Sequence, residues 1–254
     1  MISKGLLKFV HSLEQKKIRY QERLFVAEGP KVVSDLLQVS VPRFIIATEA
    51  WLRDEAGIRD LQDTTVVETT DEELRKASFL QHPQQVLGVF PMMDDQAEAC
   101  VPDTQLSLAL DGVQDPGNLG TIIRIADWFG IEHIFCSQST ADLYNPKVVQ
   151  ATMGSIARVK VCYTDLVRLI DRLPRDYPVY GTLLDGADLY AQPLTPHGLI
   201  VMGNEGNGIS PEVARKVSHR LLIPNYPAGR PTADSLNVAI ATAITCAEFR
   251  RRNT

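Results

Sequence analysis

Gly203-Asn204-Glu205-Gly206-Asn207-Gly208 sets three glycines and one carboxylate within six residues. Glycines at that density supply turns with positive φ and let backbone amides approach a ligand with no Cβ in the way. The acid among them, Glu205, is either a solvated loop residue or a group that positions a partner. A second cluster, Ser235-Leu236-Asn237, opens a long apolar-periodic stretch. Ser235 reads as a helix N-cap and Asn237 as a first-turn polar residue, or both orient a reactant. A third cluster surrounds Asn118 and Arg124, after Asp111-Gly112-Val113-Gln114-Asp115-Pro116-Gly117. Asn118 suits a turn in the left-handed region or a polar contact. Arg124 also has two readings. It pairs with Asp127 at i, i+3 on an exposed helical face. Alternatively, in the first turn of a helix starting at Thr121, where the dipole disfavours a cation, and after a strand-end loop rich in glycine, proline and asparagine, it has a functional role.

Such residues need a scaffold that gathers them. Leu199–Met202 and Leu221–Ile223 are short apolar runs ending in turn-forming clusters, as buried strands do. Leu106–Leu110, Ile131–Cys136, Arg158–Cys162 and Val179–Leu184 read as further strands, with helices over Thr121–Phe129, from about Pro146, from Asp165, and over Ser235–Arg252. This alternation predicts a mainly parallel sheet covered on both faces, with ligands at the C-terminal strand ends. On the last helix Leu236, Ile240, Ala243, Ile244 and Ala247 form one apolar face, and Arg250, Arg251 and Arg252 complement its C-terminal dipole. Residues 1–95 predict a smaller α/β domain, with a helix at Pro30–Leu37 and strands at Arg43–Ala47, Thr65–Glu68 and Gln85–Phe90. The aperiodic, acidic, proline-bounded stretch 96–104 reads as a linker, and 105–254 as the second domain.

The 254 residues carry a net charge of −5, which by itself advertises no nucleic-acid partner. Locally, residues 1–31 set Lys4, Lys8, Lys16, Lys17, Arg19, Arg23 and Lys31 against Glu14, Glu22 and Glu28. This is either solvated helical surface or a phosphate-contacting patch that includes Lys16, Lys17, Arg19 and Arg23. No apolar run approaches the ~18 residues of a membrane span, and the N-terminal residues lack a signal-peptide pattern. Cys100, Cys136, Cys162 and Cys246 are too scattered for a paired motif and read as buried thiols of a reducing compartment, the cytoplasm. Several chemistries are disfavoured. Gly203-x-x-Gly206-x-Gly208 reverses the dinucleotide fingerprint, and no Lys-Ser/Thr follows Gly120 to make a phosphate loop. The histidines are too dispersed for a local metal motif, and no G-x-S-x-G elbow exists.

Three segments together resemble the SpoU (TrmH-type) RNA 2′-O-ribose methyltransferases of the SPOUT class. They are Asn118-Leu119-Gly120-Thr121-Ile122-Ile123-Arg124 with Ala126, then Gly203–Ile209, then Ile223-Pro224 with Ser235-Leu236-Asn237-Val238-Ala239. Arg23–Gly29 is similar to the family's ribosomal-protein-like substrate-binding domain. The resemblance implies a C-terminal trefoil knot, an exception to unknotted topology. It implies S-adenosyl-L-methionine bound in the knot near Gly203, Asn204, Gly208, Ile223 and Leu236, and no metal. Arg124 becomes the central catalytic residue, with Asn118, Glu205, Ser235 and Asn237 positioning it and the ribose. Homodimers formed through the C-terminal domain are implied, with RNA as partner, ribosomal RNA before transfer RNA. One departure from the pattern is the enlarged connection Asn225–Asp234, in which Arg230 is a further candidate for a phosphate or cofactor-carboxylate contact. The rival of a different class is a non-catalytic RNA-binding assembly factor; the intact polar set argues against it.

Overall fold

The computed structural model describes residues 2–55, 57–93, 104–227 and 230–252. The linker expected over 96–104 falls outside them except for Thr104, as does Cys100. The described chain divides into two units, one of residues 2–93 with 142–157, the other of 104–141 with 158–252. The expected second domain is therefore interrupted, because a short inserted segment packs with the N-terminal unit.

The N-terminal unit runs α1 (Lys4–Ser12), α2 (Lys16–Glu22), β1 (Leu24–Glu28), α3 (Pro30–Leu37), β2 (Phe44–Thr48), α4 (Glu49–Asp54), β3 (Thr65–Thr69), α5 (Asp71–Ala77) and β4 (Val86–Pro91). Its sheet has the order β1-β4-β2-β3, antiparallel at β4 and parallel between β2 and β3. Proline begins α3, where its missing N–H costs nothing. Thr48 and Thr70 cap α4 and α5 with their hydroxyls. β1 is not among the strands read from the sequence, yet all five of its residues are buried.

Arg19 departs most from expectation. It is 1% exposed. Its guanidinium donates to the carbonyls of Leu13 at 2.8 Å and Glu14 at 2.6 Å and pairs with Asp142 on the inserted segment. It is thus a buried ion pair tying that segment down, and it leaves the RNA patch. Lys16, Lys17 and Arg23 remain exposed, Lys16 lying over the Tyr20 ring. Arg19→Ala is expected to cost about 3–5 kcal/mol of stability, because it strands Asp142 unpaired; urea denaturation of the two proteins measures this directly.

The second unit follows with β5 (Leu106–Asp111), α6 (Pro116–Trp128) and β6 (His133–Cys136). The inserted segment then carries α7 (Pro146–Ala151). After it come β7 (Lys160–Tyr163), α8 (Leu166–Asp171), β8 (Val179–Asp188), β9 (Gly198–Gly203), α9 (Pro211–Ala214), β10 (His219–Leu222) and α10 (Val238–Arg252). The sheet has the order β10-β8-β9-β5-β6-β7, and every pair is parallel. Buried on both faces, its strands read as continuous apolar runs, as in β9, where all six residues are buried.

Two helices differ instructively from expectation. α6 begins at Pro116, five residues before Thr121, with Asp115 as N-cap accepting the Asn118 N–H at 2.8 Å. Arg124 therefore lies well past the first turn, and the dipole argument for it does not apply. On α10 the buried face is Val238, Ala239, Thr242, Thr245, Cys246, Glu248 and Phe249. The apolar stripe read from the sequence is not this buried face: Leu236 and Ile240 are each about half exposed, Ala243 and Ile244 half-buried, and Ala247 exposed. The hydroxyls on the buried face are satisfied within the helix, Thr242 by the Val238 carbonyl and Thr245 by that of Ala241. The terminal arginines do more than complement a dipole. Arg250 donates to the Phe129 and Gly130 carbonyls at the end of α6, and Arg252 to the Gln192 and Tyr190 carbonyls. Arg251, with Arg252, holds the Glu248 carboxyl down at about 2.

Candidate active site

β8 and β9 pair only as far as Gly181 and Val201. Beyond that point β8 parts from β9, and its register with β10 jumps from Gly181 opposite Arg220 to Ala187 opposite Leu221. Residues 182–186 thus bulge outward, and Asp185 is held by Arg220 at 2.7 Å, which lowers its pKa. The gap so opened at the C-terminal strand ends is a cleft of about 490 Å³. That volume suits a small organic ligand, and the location is where parallel sheets bind one.

Backbone turns form its walls. Asn204 fixes the first turn by accepting the N–H groups of Gly206 at 2.9 Å and Asn207 at 3.0 Å, while its amide donates to the Gly112 carbonyl at 2.7 Å. Gly203 sits against the returning chain so tightly that a Cβ there would lie 2.2 Å from the Gly208 carbonyl carbon. Gly203→Ala is accordingly expected to lower stability by about 1–3 kcal/mol through overpacking, whereas Gly206→Ala, whose Cβ would meet its nearest atom at 3.6 Å, should be far milder. Thermal melts of both variants check the contrast.

Beside the cleft runs a chain of polar groups. Glu205 accepts the N–H groups of Gln114 at 3.3 Å and Asp115 at 3.2 Å, at the N-terminal end of α6, and the Asn118 amide at 3.1 Å. Burial pushes its carboxyl up, but Asn118 and the backbone donors outweigh that and hold it below the usual carboxylate range. The Asn118 carbonyl oxygen in turn accepts the Asn237 amide at 2.9 Å. Asn237 also caps α10, accepting the N–H of Ala239 at 2.9 Å. Here the side chain at 237, and not Ser235, is the cap. Glu205, Asn118 and Asn237, separated by up to 119 positions, are therefore one hydrogen-bonded unit.

Gly203, Asn204, Gly208, Ile223 and Leu236 all line the cleft, as do Glu205 and Ser235. Arg124 does not. It is exposed on α6, and Asp127, expected as its partner in the ion-pair reading, binds Arg158 at 2.8 Å instead. The bulge 182–185 and Asp234 also line the cleft and were not singled out from sequence; an acid and Gly186 closing an apolar strand was their only signal. Among the lining residues are the carboxylates Asp185, Glu205 and Asp234 and no cationic side chain. Apolar walls with acids suit a ligand carrying positive charge and flat rings, and suit a phosphate poorly.

The model of the SpoU rRNA methylase family matches residues 105–247, and that of an MRM3-like substrate-binding domain matches residues 5–88. The chain is 31% identical to the 23S rRNA (guanosine(2553)-2′-O)-methyltransferase RlmP of Bacillus subtilis, over 91% of this chain and 90% of that one. Among solved structures, a TrmH-family protein of Porphyromonas gingivalis superposes with a TM-score of 0.87 at 43% identity, covering 99% of each chain. An AdoMet-bound rRNA methyltransferase from Sinorhizobium meliloti matches with the same TM-score at 30% identity, over 100% of this chain and 97% of that one. With these matches, the parallel sheet, strand-end cleft and polar rim are those of a methyltransferase of the SPOUT type. The chain belongs to the SpoU rRNA methylase family.

Proposed function

We propose that this protein methylates a ribose 2′-hydroxyl of 23S rRNA, using S-adenosylmethionine bound in the cleft between β8, β9 and β10. The observation that carries the reading is the lining of that cleft: glycine turns and apolar side chains with the carboxylates of Glu205 and Asp234 and no cationic side chain among the described lining residues, Asp185 being already paired with Arg220, matched to a sulfonium cofactor. Bound there, the cofactor would supply an electrophilic methyl group and a good leaving group, so the protein's task is to align the reactants and assist loss of the 2′-proton, which passes to water. Gly203, Asn204 and Gly208 hold the cofactor through backbone, with Ile223 and Leu236 against its apolar parts. Glu205, tied to the start of α6, fixes Asn118; Asn118 fixes Asn237; and with Ser235 they position the ribose. Arg124 binds the adjacent phosphate and stabilises the developing alkoxide. A guanidinium holds its proton throughout the physiological range and is a poor base.

Residues 104–141 with 158–252 form the catalytic domain, and residues 2–93 with the inserted segment 142–157 the RNA-binding one, with Lys16, Lys17 and Arg23 meeting phosphates. The C-terminal chain is tied in a trefoil knot, and two copies pair through the outward faces of α6 and α10. That pairing is supported by the exposed apolar side chains of Trp128 on α6, 84% exposed, and Ile240 on α10, 53% exposed. The protein works in the cytoplasm. Buried free thiols at Cys136, Cys162 and Cys246 support this, burial pushing the last up to about 12, and no described helix is long and apolar enough to cross a membrane. The deciding experiment incubates the protein with methyl-labelled S-adenosylmethionine and unmodified rRNA or tRNA and maps the label. A single 2′-O-methyl nucleotide in 23S rRNA is the expected result; label confined to tRNA, or no transfer to any RNA, overturns the reading.

A further inference from the structure

The N-terminal unit holds its own cavity, of about 260 Å³, walled by Val26 and Glu28 of β1, Phe79 and Leu80 of the turn after α5, and Lys147 and Gln150 of α7. Val26 and Glu28 alternate onto the same face of the strand, so the sequence places a carboxylate where packing alone calls for an aliphatic side chain. Glu28 is 6% exposed. Its oxygens accept the Phe79 N–H at 2.9 Å and the Ser78 hydroxyl, and among the described residues no cation pairs with it. Burial pushes its carboxyl up, opposed by those two bonds and by the field of His11. A carboxylate has about four lone-pair sites. This one has neutral donors on two, borders a cavity, and gains from further N–H donors there.

A ligand that completes it must be flat enough for a slot between Phe79 and aliphatic side chains. It must present two adjacent N–H groups on one edge and an acceptor beside them for the Lys147 ammonium or the Gln150 amide. We infer that the cavity reads an unpaired guanine of the RNA substrate, N1–H and N2–H to Glu28 and O6 to Lys147 or Gln150. Adenine and cytosine set one donor beside an acceptor, and uracil flanks its N–H with two carbonyls that a carboxylate repels. Unstacked bases read on the Watson–Crick edge beside an aromatic ring are the usual mode of sequence-specific RNA recognition. The inference rests on the RNA-methyltransferase reading and adds a base preference to it, located away from the cofactor cleft.

Fluorescence anisotropy with a short oligouridine carrying one central guanosine, inosine or adenosine tests it on the full-length protein. Guanosine should bind about tenfold tighter than adenosine, the scale of one bidentate pair, with inosine, which lacks the N2 donor, in between. Glu28→Gln should erase that preference. Should Glu28→Gln fail to fold, Lys147→Ala at an exposed position and Gln150→Ala at a half-buried one decide, each expected to narrow the gap. Equal affinity of the wild type for guanosine and adenosine overturns the inference, as does a preference unchanged in all variants that fold. Wild-type methyl transfer to rRNA without guanine preference defeats the inference alone; guanine preference without transfer defeats the methyltransferase reading alone.

Discussion

Arg124→Ala is expected to slow methyl transfer by about a hundredfold to a thousandfold, the loss that follows removal of one oxyanion donor, while leaving cofactor affinity and thermal stability unchanged. The side chain is exposed on α6, makes no hydrogen bond or ion pair among the described residues, and is absent from the cleft lining. Its removal therefore deprives no neighbour inside the fold, so the activity loss can be assigned to RNA contact and charge stabilisation. Arg124→Lys retains a point charge without the planar fork and should recover only part of the rate. Single-turnover transfer with saturating cofactor, beside calorimetric titration of the cofactor, separates the two effects. A variant that keeps most of its single-turnover rate removes Arg124 from the mechanism.

Trp128→Glu and Ile240→Glu should each convert a dimer into a monomer and take methyl transfer with it. Trp128 is 84% exposed and Ile240 53%, on helices whose other faces are packed into the unit. Burying an indole at an interface centre typically makes it one of the few residues worth 2 kcal/mol or more, so the dimer should weaken by at least about thirtyfold. Sedimentation velocity at graded concentrations reads this out, and the methyl-transfer assay on the same samples reports whether the single chain suffices. An unchanged association constant in both variants refutes pairing through this face.

The second unit was largely legible because parallel strands buried on both sides leave continuous apolar runs, and the turns that end them are rich in glycine and proline. Glu205, Asn118 and Asn237 could be named for the same reason, as polar residues at strand and helix ends. Other features depend on partners remote in sequence. Arg19 looked like surface because a count of charges cannot see Asp142, 123 positions away. The stripe on α10 was legible as an apolar face, but periodicity does not say what covers it. α6 was started late because Pro116-Gly117-Asn118 has the composition of a turn, although aspartate before proline is also a helix beginning. The outward bulge of β8 follows from its register with β10, which one strand alone does not encode.

The fastening of α6 to α10 has a consequence for motion. Asn237 holds Asn118 at one end of the pair, and Arg250 holds the Phe129 and Gly130 carbonyls at the other. The two helices lie side by side, running the same way and tied at both ends. Their amides should therefore exchange with solvent as one cooperative block, with a common opening free energy well above that of the described loop residues 223–227 and 230–236. Loosening of the loops around a ligand can then proceed while Asn118, Arg124 and Asn237 keep their spacing.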